Sequence, residues 1–334
     1  MSQTQFCKFC VYPVNQDLID PASGLPMEFD TQNDEPVCAH CLDLLKQTTV
    51  ENLSLCSQNE MMDYLRCNKR VLYAYSGGLD STAVLFHLQR ACRAVGSELT
   101  LFTIETGVKG RVAKANIQNI VSHMDLTRNH FFLDIRNQVQ THPKIIEVVG
   151  TPKTTLEVYG YCDDQHLLPC GKTCNTMIDQ AYGKFMAEQG FTELITGGDT
   201  PKKNPQNNFS IFWEKPSGLI IVRGAFGFGL SKSKNIQLIK KENLPWKNPD
   251  CGGYDTDCLI PGAYFYDEWC SKNGLVTIED IVTSYPIILH YLAERVRFGV
   301  LNRERALAQI TKLDVSSPAS YQELHEIKAR TKKE

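Results

Sequence analysis

The sequence predicts an α/β protein, a parallel sheet with helices on both faces, preceded by a cysteine-rich module and followed by a mostly helical region. Three observations predict it. Residues 67–245 alternate short apolar runs with amphipathic stretches, the pattern of parallel strands joined by crossover helices. Residues 1–66 are punctuated by cysteine and proline, and residues 246–334 carry helical periodicity.

In the first zone, Cys7-x-x-Cys10 and Cys38-x-x-Cys41 form two pairs separated by 27 residues. Each pair places two thiolates on one cation from a tight turn, and two such knuckles complete a tetrahedral site. The intervening Pro13, Pro21, Gly24 and Pro26 leave little with which to build a core, so a bound Zn²⁺ supplies folding free energy. Two disulfides are the alternative, disfavoured in a reducing compartment. His40 is expected to be a bystander. A helix over Gln58–Arg66 closes the zone.

The second zone opens on VLYAYSGGLDST, residues 71–82. A β-rich run, Val71–Tyr75, ends in Ser76-Gly77-Gly78, and a helix from Ser81 to about Val95 follows. Glycines at a strand-to-helix turn let backbone N–H groups approach an anion, and the helix N-terminus faces the same spot. Ser76, Ser81 and Thr82 add hydroxyls, which suits a phosphate or pyrophosphate. The turn lacks the Gly-Lys-Ser/Thr ending of the loop that transfers a γ-phosphoryl group, and lacks GxGxxG spacing. Strands are predicted at Leu99–Glu105, Asn129–Leu133, Phe191–Thr196 and Leu219–Arg223, and helices at Val112–His123 and Thr176–Gln189.

Thr196-Gly197-Gly198-Asp199 closes one of these strands and is expected to reach the same sheet edge, with Asp199 binding metal or orienting substrate. Arg223 and Lys232 are candidates to neutralise pyrophosphate. Cys170 and Cys174 precede a helix, where a thiolate has a lowered pKa, and Cys251 and Cys258 follow in a glycine-rich stretch. Three of these four suit an iron–sulfur cluster or a sulfur carrier. Cys56, Cys67, Cys92, Cys162 and Cys270 read as structural. In the last zone, Thr277 and Asp280 begin a helix running toward Arg297, and Ser320 with Glu323 has capping-box spacing.

The 334 residues carry a net charge of −3, with 42% hydrophobic and 22% charged residues, an ordinary globular composition. That balance gives no case for a large nucleic-acid footprint. No run approaches the ~20 apolar residues of a membrane span. The first thirty residues hold no apolar core of a signal peptide, so a cytoplasmic protein without membrane contact is expected.

The heptapeptide Ser76–Thr82, between a strand and an amphipathic helix, resembles the signature of the PP-loop ATP pyrophosphatases, the superfamily of adenine nucleotide α-hydrolase-like enzymes. The resemblance implies a PP-loop/HUP-like fold and cleavage of ATP between its α and β phosphates. AMP is placed on a substrate oxygen and pyrophosphate leaves. It implies that Ser76, Gly77, Gly78, Leu79, Asp80, Ser81 and Thr82 bind ATP, with Asp80 helping to hold Mg²⁺. Glu105, Gly197 and Gly198 are expected around the nucleotide, and Asp80, Asp199, Cys170 and Cys174 in catalysis.

Two branches of that superfamily compete. CKFCVYP (7–13), Glu28-Phe29-Asp30, CAHC (38–41), TIETGVKGRVAKANIQNIV (103–121), PCGKTC (169–174) and ERVRFGVLNRERALAQITKLD (294–314) are similar to segments of the N-acetyl sugar amidotransferases. That likeness implies a small-molecule acceptor of the nucleotide-sugar kind and a separate glutaminase subunit as ammonia donor, in surface-sugar biosynthesis. The chain departs from the pattern in the CxxxC spacing, in Asn175 where a His is usual, and in Thr196–Asp199. The second branch is ATP-dependent sulfur transfer to tRNA or a small molecule. There Cys170, Cys174 and either Cys251 or Cys258 match three widely spaced cysteines, and Cys170, Cys174 and Cys258 would hold a 4Fe–4S cluster. The acidic net charge weakens tRNA as partner. Because the terminal zones agree better with the amidotransferases, nitrogen transfer is the leading expectation. A non-enzymatic nucleotide-binding scaffold stays open beside both.

Overall fold

Val71, Leu72 and Tyr73 have no exposed surface, because they form the middle of a sheet covered on both faces. The computed structural model describes residues 5–14, 29–32, 35–136, 143–150, 157–158, 161, 173–204, 208–248, 258–260, 286–311 and 318–331. Cys170, Cys251, Cys162, Cys270 and the expected helix start at Thr277–Asp280 lie outside them.

The strands are β1 (Phe29–Gln32), β2 (Glu35–Cys38), β3 (Arg70–Ala74), β4 (Glu98–Glu105), β5 (His130–Asp134), β6 (Glu193–Thr196), β7 (Lys202–Lys203), β8 (Phe209–Ser210), β9 (Phe212–Glu214) and β10 (Ile220–Arg223). The helices are α1 (Ala39–Gln47), α2 (Val50–Cys67), α3 (Leu79–Val95), α4 (Arg111–His123), α5 (Pro143–Val149), α6 (Asn175–Gln189), α7 (Gly224–Gly227), α8 (Lys232–Lys241), α9 (Pro286–Arg297), α10 (Arg303–Thr311) and α11 (Pro318–Thr331). Six strands form the main sheet in the order β5-β4-β3-β6-β10-β9. β3 pairs parallel with β4, from Arg70↔Glu98 to Ala74↔Phe102, and with β6 at Tyr73↔Ile195.

The expected parallel sheet is therefore mostly, and not wholly, parallel: β9 runs antiparallel to β10 at the edge. The cause is local. Only Lys215–Leu219 separate them, and Gly218, with φ +81°, donates to the Lys215 carbonyl at 2.9 Å. A connection this short makes a hairpin, whereas a parallel pair needs a crossover.

Strand alternation divides the core between two faces. Val71 and Tyr73 pack with Leu85 and Leu88 of α3 and Ile117 and Ile120 of α4. Leu72 faces the other way, toward Phe102, Leu194 and Phe185 of α6. The order β4-β3-β6 places the chain reversal at β3 and β6. In such sheets ligands bind beyond the strand ends at that point.

Two local readings are corrected, and one element is added. The helix expected over Gln58–Arg66 starts eight residues earlier, at Val50, because Thr49 caps it by accepting the Asn52 N–H at 3.2 Å. The final helix begins at Pro318, so Ser320 is buried in its first turn and does not cap it. Glu323 instead accepts the backbone N–H of Arg111 at 2.7 Å. The hairpin β1–β2, which carries Cys38 to its place, has no apolar alternation and went unread.

The cysteine-rich start and the helical end share one apolar cluster. Cys7, Val11, Tyr12 and Val37 pack with Leu289, Leu292 and Ala293 of α9 and Ala306 and Ile310 of α10. Among the described residues, no helix is long and apolar enough to cross a membrane.

Candidate functional site

The turn after β3 takes its shape from its glycines. Gly77 has φ +87°, and a Cβ there would lie 2.5 Å from the Ala113 carbonyl oxygen. Its own carbonyl accepts from Asn116 Nδ2 at 3.1 Å and from the indole N–H of Trp246 at 3.0 Å. Gly78 is the N-cap of α3, extended and without a side chain. The first turn of α3 is fastened to the sheet, since Tyr73 donates its hydroxyl to the Ser81 carbonyl at 2.6 Å.

The hydroxyls divide by role. Ser76 and Ser81 stand 3.1 Å apart, oxygen to oxygen, at the mouth of the turn. Thr82 is fully buried, and its hydroxyl lies 2.8 Å from the Gly78 carbonyl and 3.0 Å from the Tyr75 hydroxyl. Leu79 is buried in the core. These two support the loop from behind.

The segment after β6 arrives at the same place. A Cβ on Gly197 would sit 3.2 Å from the Ser81 nitrogen, so its glycine allows the two loops to meet. A Cβ on Gly198 would strike the Arg223 guanidinium, which donates to Thr200 and so rigidifies the turn. Asp199 is buried and accepts Arg295 Nε at 2.9 Å. Asp80 is ion-paired with Lys232 and accepts Asn235 Nδ2 at 2.8 Å.

Burial pushes the Asp80 carboxyl upward, and the Asp199 charge adds to that, beyond what Lys232 offsets. Burial also raises Asp199, but Arg295, Lys232 and Arg223 outweigh it and hold it below the ordinary carboxylate range. Asp80 and Asp199 are thus two buried carboxylates that feel one another beside the loop, each held by a cationic partner.

A cavity of about 160 Å³ opens beside Ser76, and Thr106, Lys109, Cys174 and Cys258 line it. Cys174 and Cys258, two of the three cysteines expected to act together, thus line one cavity with Ser76. Val108 and Lys109 bring Cys258 there: Leu259 N–H donates to the Val108 carbonyl at 3.0 Å, beside a Lys109–Cys258 β-bridge. Lys109 is itself buried and donates to the Ser76 carbonyl at 3.2 Å. Glu105 is spent nearby, on the Gly107 N–H at 2.7 Å and on Lys114 at 3.0 Å.

Cys7, Cys10, Cys38 and Cys41 are all buried, with their sulfurs within 4.8 Å of one another. Hydrogen bonding with Cys10 pulls the Cys7 thiol below its ordinary range, while that with Cys38 pushes Cys10 above it. This soft, preassembled donor set fits a tetrahedral metal. Arg297 is buried against it. Burial opposes the guanidinium charge, and the charges of Cys10, Cys41 and Cys38 more than restore it.

Sequence reasoning missed Asn116, Trp246, Lys109, Asn235, Arg295 and Arg297. Only the run from Arg295 to Arg303, already rich in arginine, carried a signal that would have drawn attention to two of them.

No family model matches the chain. It is 23% identical over 307 residues to the uncharacterized protein MJ1599 of Methanocaldococcus jannaschii, covering 87% of this chain and 90% of that one. Among solved structures, the U34-tRNA thiolase NcsA from Methanococcus maripaludis, determined with its 4Fe–4S cluster, aligns with TM-score 0.39 and 12% identity. That alignment covers 86% of this chain and 89% of the other. A likeness at that level has no weight for function, which rests on the site.

Proposed function

We propose that the chain is an ATP-dependent, AMP- and pyrophosphate-forming enzyme of the PP-loop type, and that the atom it delivers is sulfur. One observation carries the choice of sulfur over nitrogen: Cys174 and Cys258, far apart in sequence, line the same cavity as Ser76 of the loop. The nitrogen reading needs a separate ammonia-donating glutaminase and leaves these thiols without a task.

In this reading ATP lies across Ser76–Ser81. The N–H groups of the turn and the N-terminus of α3 face its phosphates, and Lys232 neutralises the departing pyrophosphate. Asp80 and Asp199 would hold Mg²⁺, which would supply charge neutralisation for the leaving pyrophosphate. A carbonyl oxygen of the acceptor attacks the α phosphorus. The bond from that phosphorus to the β-bridging oxygen breaks, and its electron pair leaves with pyrophosphate. Hydrosulfide then attacks the adenylated carbon, the C–O bond breaks, AMP leaves, and the sulfur gives up its proton. Covalent activation divides one hard displacement into two easier ones.

Cys174 and Cys258, with Cys170, would hold a 4Fe–4S cluster as the place where hydrosulfide is bound. The half-buried pair at the cavity has the soft donor chemistry such a group takes. Zn²⁺ is the ion proposed for Cys7, Cys10, Cys38 and Cys41. The net charge of −3 supports a small-molecule acceptor over tRNA.

The test is nucleotide product analysis with sulfide or ammonia as the nucleophile, together with ATP–[³²P]pyrophosphate exchange in the presence of candidate acceptors. Expected are AMP and pyrophosphate, exchange lost in Asp80→Ala, and sulfide-dependent turnover lost in Cys174→Ser. ADP as product overturns the proposal, as does ammonia-dependent turnover that Cys174→Ser leaves intact.

A further inference from the structure

Helix α9 is anchored in two directions. Glu294 accepts Lys202 Nζ at 3.1 Å, and Arg295 donates to Asp199 at 2.9 Å, both on the side of the candidate nucleotide site. Two residues on, about 200° round the helix, Arg297 lies buried against the four cysteines, and its Nε and Nη2 have no hydrogen-bond partner among the described residues. Arg303, at the start of α10, donates to the carbonyls of Cys7 and Cys10 at 3.1 and 3.0 Å. The last turn of α9 therefore stands between the cysteine centre and Asp199.

We infer that the four-cysteine metal centre positions the nucleotide site, acting through α9. A metal held by the four cysteines would tie both knuckles to one point, beside the buried Arg297. Remove the metal, and the four sulfurs lose their common centre, so the knuckle on which α9 packs and to whose carbonyls Arg303 donates loses its fixed shape. The turn then leaves its seat, and Arg295, on the same rigid turn, leaves Asp199. Arg295 is a positioning residue: its hydrogen bond aims the Asp199 carboxylate, without touching the nucleotide. Cys7, Val11, Leu292 and Ala293 share one core, so knuckle and helix pack on each other and a change in one is felt by the other.

Coupling between two sites is reciprocal. If metal favours the arrangement that binds nucleotide, nucleotide must retain metal. The inference rests on the nucleotide reading above, and its test separates the two. Metal-loaded protein is mixed with a chromophoric thiol-competing chelator, and release is timed with and without Mg²⁺ and α,β-methylene-ATP. Binding of that nucleotide is measured in parallel by equilibrium dialysis.

The expected result is release slowed about 5-fold or more at saturating nucleotide, with the slowing lost in Arg295→Met, which still holds one metal per chain. Arg295→Lys, able to keep an ion pair with Asp199, retains part of the slowing. Nucleotide that binds while leaving metal release unchanged overturns the coupling. A nucleotide that does not bind at all overturns the PP-loop reading as well. Slowing that survives undiminished in a folded Arg295→Met protein removes α9 as the connection.

Discussion

The indole N–H of Trp246 and the side-chain amide of Asn116 both donate to one oxygen, the carbonyl of Gly77, at 3.0 and 3.1 Å. Because a trans peptide points its C=O and the next N–H in opposite directions, fixing this oxygen aims the Gly78 amide away from Trp246. The loop is therefore set before any anion arrives.

Trp246 is one of three tryptophans, so it is a usable reporter. Adding Mg·ATP should change the intrinsic fluorescence of the wild type. In Trp246→Phe that change should vanish and affinity should fall about 5-fold, the equivalent of one hydrogen bond of ~1 kcal/mol. An unaltered signal in the variant would place the nucleotide away from this loop.

Gly77→Ala should destabilise the fold by about 2–4 kcal/mol, combining a left-handed backbone with a collision against Ala113 and Ile117. Gly96→Ala makes a control, since it also has positive φ but meets nothing within 4 Å, and should cost only ~1 kcal/mol. Denaturant titration of both proteins reads the difference. Equal losses would mean that the close approach of α4 to the turn is not as described.

Lys232→Met should cost about 3–5 kcal/mol at pH 7, because it strands the Asp80 carboxylate in a buried site. Asp80→Asn added to Lys232→Met should recover a large part of that loss, a coupling a double-mutant cycle measures. If the two losses simply add, the pair is not coupled.

His130 offers a pH test. Burial lowers its pKa from 6.5 to about 4, and its Nε2 stands 2.9 Å from the Thr103 hydroxyl. A folded-state pKa below the unfolded one means that the neutral ring is the stabilising form. Its contribution is complete above about pH 6.5 and is lost as pH falls from there through about 4. The stability gap between wild type and His130→Gln should narrow over that range. A constant gap would rule out a buried neutral imidazole.

Much of this was readable from local pattern. Val71–Tyr75 followed by two glycines announced β3, its turn and α3, because apolar alternation and a conformational break both lie within a dozen residues. Gly197 was legible for the same reason. The four cysteines announced themselves by spacing, and Cys174 and Cys258 by the chemistry of their type. The hairpin β1–β2 was not, since a strand that reads Glu-Pro-Val-Cys has no alternation to see. Nor was Lys109, since one lysine gives no sign that it will be buried. The arginine-rich run drew attention to Arg295 and Arg297 but not to their roles: their partners Asp199 and Cys41 lie about a hundred and more than two hundred and fifty residues away, and only the folded chain brings them together.

The shared core of the two chain ends has a consequence for biosynthesis. Cys7–Val11 leave the ribosome well before the leucines and alanines that cover them, which belong to residues 289–310. At ~5–20 residues per second, the knuckle waits roughly 15 to 55 s for its lid. Throughout that interval the knuckle lacks the apolar cover of α9 and α10, so its packing is finished only once residues 289–310 are made.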